Sequence, residues 1–173
     1  MHDGIVPDLA SVAHAPVQKT IILKIDDFTK GMWMLVHLLY VSQPVGPVTS
    51  TVTSSILKTS IQKNKESDIT GVLCQGVGLW MQILEGERSK VNHLYSAVKT
   101  DPRHKNVELL LMEDIKQRQY KQWSMALVHL SKDDPLIQMQ HPEFDPYLAT
   151  GKDALKLIDD LINMGKPIVP DLR

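Results

Sequence analysis

The chain has 173 residues, 43% hydrophobic and 23% charged, with a formal net charge of −1. That composition supports one soluble domain with a real core plus extensions, and no second full-sized domain. A charge near zero gives no electrostatic basis for binding nucleic acid or an anionic membrane, and no apolar run approaches the roughly 20 residues of a membrane span.

The single cysteine, Cys74, has no partner for an internal disulfide, so a reducing cytoplasm is the expected compartment. The start, Met1-His2-Asp3-Gly4, lacks the basic opening and apolar stretch of a secretory signal. Residues 1–32 read as an N-terminal extension, loose up to Gln18, with a β-branched run over Lys19–Ile25 that could add a strand and a loop over Asp26–Gly31.

Trp33–Ser42 is apolar on both faces, as a central strand is, and its alternation groups Met34, Val36, Leu38 and Tyr40. Gln43-Pro44-Val45-Gly46-Pro47 breaks it. Residues 49–63 carry a weak helical stripe at Val52, Ile56 and Ser60-Ile61, with Thr49 or Ser50 able to cap. Ile69–Cys74 is a second strand, and Gln75-Gly76-Val77-Gly78 turns the chain into a third, Leu79–Leu84. In that third strand Trp80, Gln82 and Leu84 share one face, and Leu79, Met81 and Ile83 the other. Gln82 is thus flanked by apolar side chains, and a buried amide needs polar partners for two donors and an oxygen.

Glu87–Thr100 is a helix with Val91, Leu94, Tyr95 and Val98 on one face, stopped by Asp101-Pro102. Val107–Ile115 and Trp123–Leu130 complete the strands, and on the last Trp123 and Met125, two apart, would share a face. Strand, helix, strand, strand, helix, strand is an α+β, ferredoxin-like βαββαβ sandwich, here with an added fifth strand. Residues 33–130 form this domain. Residues 131–173 form a C-terminal helical extension, with turns around a short helix and then an amphipathic helix over Lys152–Met164. Its Leu155, Ile158, Leu161 and Ile162 are expected to cover the other face of the sheet.

Each notable residue has an ordinary explanation when taken singly. Tyr40 can be a core tyrosine with a satisfied hydroxyl, and Asn64 a left-handed helix C-cap. Gln82 can face water on an edge strand, and Trp123 and Met125 can be core filling. Asp101-Pro102-Arg103-His104 can be a solvated turn. Their order and spacing carry more. Leu38-Leu39-Tyr40-Val41-Ser42, Asn64 before Ile69-Thr70-Gly71, Gln82-Ile83-Leu84-Glu85-Gly86, Asp101-Pro102-Arg103-His104 and Trp123-Ser124-Met125 follow one another at fitting distances over residues 34–130. In this the chain resembles the BLUF family of flavin-using blue-light sensors.

The resemblance implies a flavin, usually FAD, with FMN or riboflavin possible in its place, held between the two helices of the sandwich. It implies that Tyr40 is the electron donor and that Gln82 bridges its phenol to the N5 and C4=O edge of the ring. It places Asn64 on the pyrimidine edge, Ser60 near the glutamine, Arg103 and His104 towards the polar tail, and Trp123 and Met125 in the photoactive surroundings. No metal and no turnover are implied. With no catalytic domain following, the chain resembles the short members that signal through a downstream protein partner or a change of homo-oligomer. Two other functions are open on the same scaffold. An acylphosphatase-like hydrolase wants a cation in the loop after the first strand, which Gln43–Thr49 does not supply. A light-blind protein-interaction module has no need of Tyr40, Asn64 and Gln82 together.

Overall fold

The computed structural model describes residues 34–140, 144–165 and 167–169. The extension over 1–32, its expected strand at Lys19–Ile25 and the turn residues His141–Glu143 lie outside these. Strand β1 spans Leu35–Pro44, and Val36 to Ser42 are buried throughout, as a strand covered on both faces must be. Helix α1 spans Ser50–Ser67. Thr49 caps it, its hydroxyl accepting the Val52 N–H at 3.3 Å. Asp68, at φ 54°, takes the left-handed position that ends it, so Asn64 is not the C-cap.

The inner face of α1 is Thr53, Leu57 and Asn64, one position round from the expected Val52 and Ile56. The hydroxyl of Thr53 donates to Gln75 Oε1 at 2.9 Å, which lets a polar side chain face inward while Val52 stays exposed. Strands β2 (Thr70–Gly76) and β3 (Leu79–Glu87) form a hairpin. Val77 and Gly78 both have positive φ, 45° and 76°, the primed turn whose twist matches the strands. Helix α2 is Arg88–Thr100, β4 is His104–Ile115 and β5 is Ala126–Leu130.

The sheet order is β4-β1-β3-β2-β5. β1 runs antiparallel to β3 and β4, β2 antiparallel to β3, and the added β5 lies parallel to β2 at the edge. This is the ferredoxin-like α+β sandwich with a fifth strand. One face carries Val36, Leu38, Tyr40, Leu73, Trp80 and Leu84 against Leu57 of α1 and Val91 of α2. The other carries Leu39, Val41, Val72, Cys74, Met81, Ile83 and Val128.

That second face is covered by α4 (Gly151–Asn163), after a short α3 (Pro135–Gln140). The buried stripe of α4 is Ala154, Leu157, Ile158 and Leu161, with Leu155 and Ile162 as its half-buried flanks. Gly151 lets its first turn approach β4, since a Cβ there would lie 2.2 Å from the Leu110 carbonyl oxygen.

A second expectation is corrected. β5 begins at Ala126, so strand alternation does not reach back to Trp123. Met125 enters the core under α1 and α2, whereas Trp123 packs against the α4 side. The cause is tertiary: the amides of Gln119 and Tyr120 bond the Glu85 carboxylate instead of a strand, and residues 116–125 run as turns.

Among the described residues no helix is long and apolar enough to cross a membrane. Leu157 is fully buried between α4 and the sheet, so Leu157→Ala should destabilise the domain by about 2–5 kcal/mol. Urea denaturation followed by circular dichroism measures this. A change below about 1 kcal/mol would mean that α4 is not part of the cooperative unit.

Candidate functional site

The register of β1 on β3 sets Tyr40 opposite Gln82, both facing α1 and α2. The Tyr40 hydroxyl donates to Gln82 Oε1, and Gln82 Nε2 donates to the Met125 sulfur at 3.6 Å. Gln82 therefore has the polar partner that its apolar flanks demand. Tyr40 is 1% exposed. Burial holds its phenol far above the ordinary tyrosine range, and the neighbouring Tyr95 and Asp101 push the same way. Its resting form is the neutral phenol, with the proton aimed at an amide oxygen.

Above this pair, between α1 and α2, lies a cavity of about 130 Å³. Ile56, Leu94 and Val98 supply apolar walls, while Tyr40, Gln82, Ser60 and Asn64 supply polar groups. Ser60 and Asn64 are four apart on α1, hence on one side of it. Asn64 Nδ2 donates to the Ser124 carbonyl at 3.0 Å. A second opening of about 490 Å³ continues along the helices and shares Lys63, Asn64, Leu94 and Ala97 with the first.

Arg103 and His104 also line the cavity, but not as two free cations. Arg103 Nε lies 2.9 Å from Asp101 Oδ1, and the hydrogen bonding between the two side chains pulls the Asp101 carboxyl down to about 2. Burial lowers the imidazole of His104 below its ordinary value. Its Nδ1 is 2.9 Å from Ser42 Oγ, and its ring meets Trp80 with centroids 4.7 Å apart.

The structure thus brings together Tyr40, Ser60, Asn64, Gln82, Arg103 and His104, with Met125 touching Gln82 from the side of β5. Trp123 stands apart, on the far face of the sheet. Sequence reasoning missed Trp80 as a lining residue, although alternation puts it on the face of Gln82. Its indole Nε1 is buried without a hydrogen-bond partner, a donor left for a ligand in the cavity. Lys63 and Asp101 were missed too, since neither has a signal beyond proximity to Asn64 and Arg103. No cluster of metal-ligating side chains occurs among the described residues.

Apolar helix walls over a phenol, two carboxamides and an indole N–H define a binding domain for a planar ring with hydrogen-bonding edges. Comparison with known proteins gives that class its identity. Residues 35–126 match BLUF, described as sensors of blue-light using FAD. The chain is 35% identical over 97 residues to the photoactivated adenylate cyclase subunit beta of Euglena gracilis, a match covering 56% of this chain and 11% of that one. Among solved structures, the photo-activated state of BlsA is similar with TM-score 0.66 at 25% identity, covering 81% of this chain and 99% of that one. The dark-state structure of the BLUF protein BlrB gives TM-score 0.64 at 25% identity, covering 78% and 98%. The chain belongs to the BLUF family, whose members sense blue light through a bound flavin.

The raised phenol has a measurable consequence. A group whose folded pKa lies above its unfolded value of 10.0 contributes stability that is fully present below that pH and is lost progressively as pH rises from there towards the folded value. Denaturation midpoints should fall above about pH 10, and Tyr40→Phe should lessen the fall while Tyr120, raised likewise by burial, keeps its share of it. Identical profiles for the two proteins would show that the Tyr40 phenol ionises in the fold as it does in the unfolded chain.

Proposed function

We propose that this chain senses blue light through FAD held between α1 and α2, with Tyr40 and Gln82 as the switching pair. The observation that carries the reading is the Tyr40–Gln82 hydrogen bond on the cavity side of the sheet, set by the β1–β3 register. A bound flavin supplies the blue absorption and, once excited, a strong oxidant. Everything else is done by side chains of the protein.

Tyr40 would be the electron donor to that oxidant, and its phenolic proton, very acidic once the tyrosine is oxidised, would leave towards Gln82 Oε1. The amide both accepts and donates, so it can pass a proton on and take one back. With electron and proton returned to it, the phenol would be restored. Gln82, rotated or tautomerised, would then offer the cofactor a different hydrogen bond.

Asn64 holds the pyrimidine edge, because a carboxamide pairs one donor and one acceptor in a plane. Ser60 lines the cavity near Gln82. His104 closes the sheet end of the cavity beside Trp80, and the paired Arg103–Asp101 makes a polar rim towards the tail of the cofactor. Met125 reports the state of Gln82, and Trp123 acts from the opposite face. FAD is the choice indicated by the description of the family; FMN and riboflavin present the same ring to these residues. The output passes, without turnover by this domain, to a protein partner or a change in self-association in the cytoplasm. The retained Tyr40, Asn64 and Gln82 in one cavity favour this over a light-blind module.

The reading is tested by colour. Purified protein should be yellow and show a reversible red shift under blue light. Tyr40→Phe and Gln82→Leu should each keep flavin and lose the shift, and an intact photocycle in either would overturn the assigned pair.

Asn64→Ala leaves a polar edge unpaired, a loss of roughly 1–3 kcal/mol, or about one to two orders of magnitude in flavin affinity. Titration of apoprotein with flavin checks this. Wild-type affinity in Asn64→Ala would remove Asn64 from the site.

A further inference from the structure

The buried donors that face the cavity are spent on the protein itself, with one exception. Asn64 Nδ2 donates to the Ser124 carbonyl, Gln82 Nε2 to the Met125 sulfur and the Tyr40 hydroxyl to Gln82 Oε1. At the rim, Asp101 engages the Arg103 guanidinium, and Lys63 is exposed to water. Trp80 is the exception among the described residues. It stands two residues before Gln82 on β3, on the same face, and is 3% exposed. Its indole Nε1 is buried without a partner.

Other buried polar atoms left without partners have a way out, or lie elsewhere. Arg88 and Arg118 are engaged through their terminal nitrogens, and the Thr70 hydroxyl is free to rotate. His37, bonded through Nδ1 to Glu85, can keep its Nε2 as an unprotonated acceptor. Trp123 packs on the α4 side of the sheet. An indole N–H only donates, and it neither rotates nor tautomerises. Buried dry, it costs the desolvation of the group, which a bound acceptor would return.

The fold keeps the indole in place. Its ring meets His104 in a T-shaped contact with centroids 4.7 Å apart, and Ser42 Oγ lies 2.9 Å from the imidazole Nδ1. An imidazole face is a weak acceptor, so this contact orients Trp80 without satisfying its N–H. Bulk alone does not call for the indole. Phenylalanine would join the same apolar cluster, with Tyr40, Leu57 and Leu73, and bring no unpaired donor.

We propose that Trp80 is a cofactor-holding residue of this chain, its Nε1–H donating to an acceptor atom of the ring bound in the cavity. The chemical class fits. An oxidised flavin ring carries two carbonyl oxygens and two imine nitrogens as acceptors against one imide N–H, so a cavity for it needs more donors than acceptors. This rests on the sensor reading above and goes beyond it, since that reading asks nothing of Trp80.

The test uses the full chain, freed of flavin and then loaded with riboflavin, which carries the ring and no phosphate. Its tryptophans, Trp33, Trp80 and Trp123, carry isotope-labelled indole nitrogen and are followed by nuclear magnetic resonance. On loading, the Trp80 N–H signal should move downfield in both the proton and the nitrogen dimension, as a newly bonded donor does. FMN and FAD, which share the ring, should move it alike. Trp80→Phe should bind riboflavin about tenfold more weakly than wild type. Trp33→Phe and Trp123→Phe assign the signal by exclusion, so the spectrum decides the matter should Trp80→Phe not fold.

A Trp80 signal that stays in place at saturating riboflavin would overturn the proposal, even with weak binding by Trp80→Phe, because packing alone would then explain the loss. Wild-type affinity in Trp80→Phe would overturn it too. Both results leave the sensor reading standing. A wild-type chain that binds none of riboflavin, FMN and FAD would overturn that reading and this proposal with it.

Discussion

A phenol and an amide placed directly across two antiparallel strands set the terms for the rest of this molecule. Tyr40 and Gln82 are register partners in the middle of the sheet, and both need a hydrogen bond once buried. A slip of one residue between β1 and β3 would turn one of them to the α4 face and leave the other unpaired. The register is protected by apolar residues on both faces: Leu38 and Leu84 beside the pair, Leu39, Val41, Met81 and Ile83 behind it. The same burial keeps the phenol neutral.

The two faces of the sheet divide the labour. Helices α1 and α2 stand over one face and leave a cavity lined by Asn64, Ser60 and Trp80, because their inner stripes are broken by polar or small residues. Helix α4 closes the other face with an unbroken apolar stripe. Around the edge of the sheet, residues 116–125 bond to Asn64 of the site, to the buried Glu85 and to α4.

Much of this is legible in the amino-acid sequence alone. Alternation in Leu79–Leu84 places Gln82 among apolar neighbours, and that predicament requires the partner which Tyr40 supplies. Strand β1, the hairpin turn and the amphipathic stretch that becomes α4 are readable because period and turn chemistry agree there. The inner face of α1 is not, because Thr53 is admitted to the core by Gln75, a residue 22 positions away. The Trp123–Met125 segment misleads for the same kind of reason. Its two-residue spacing looks like a strand, but the chain upstream is anchored by a carboxylate from β3. Arg103 and His104 read in the sequence as a basic pair, while in the fold Asp101 and Ser42 engage them. Pairing of that kind leaves no trace in composition.

The central claim is that light changes the hydrogen bond between Tyr40 and Gln82 and leaves the flavin chemically intact. Light-minus-dark infrared spectra of protein carrying isotope-labelled tyrosine or glutamine test it most directly. Label-sensitive phenol and side-chain amide bands should change together with the visible red shift, decay with it in the dark, and vanish in Gln82→Leu. A red shift with no label-sensitive tyrosine or glutamine band would contradict it.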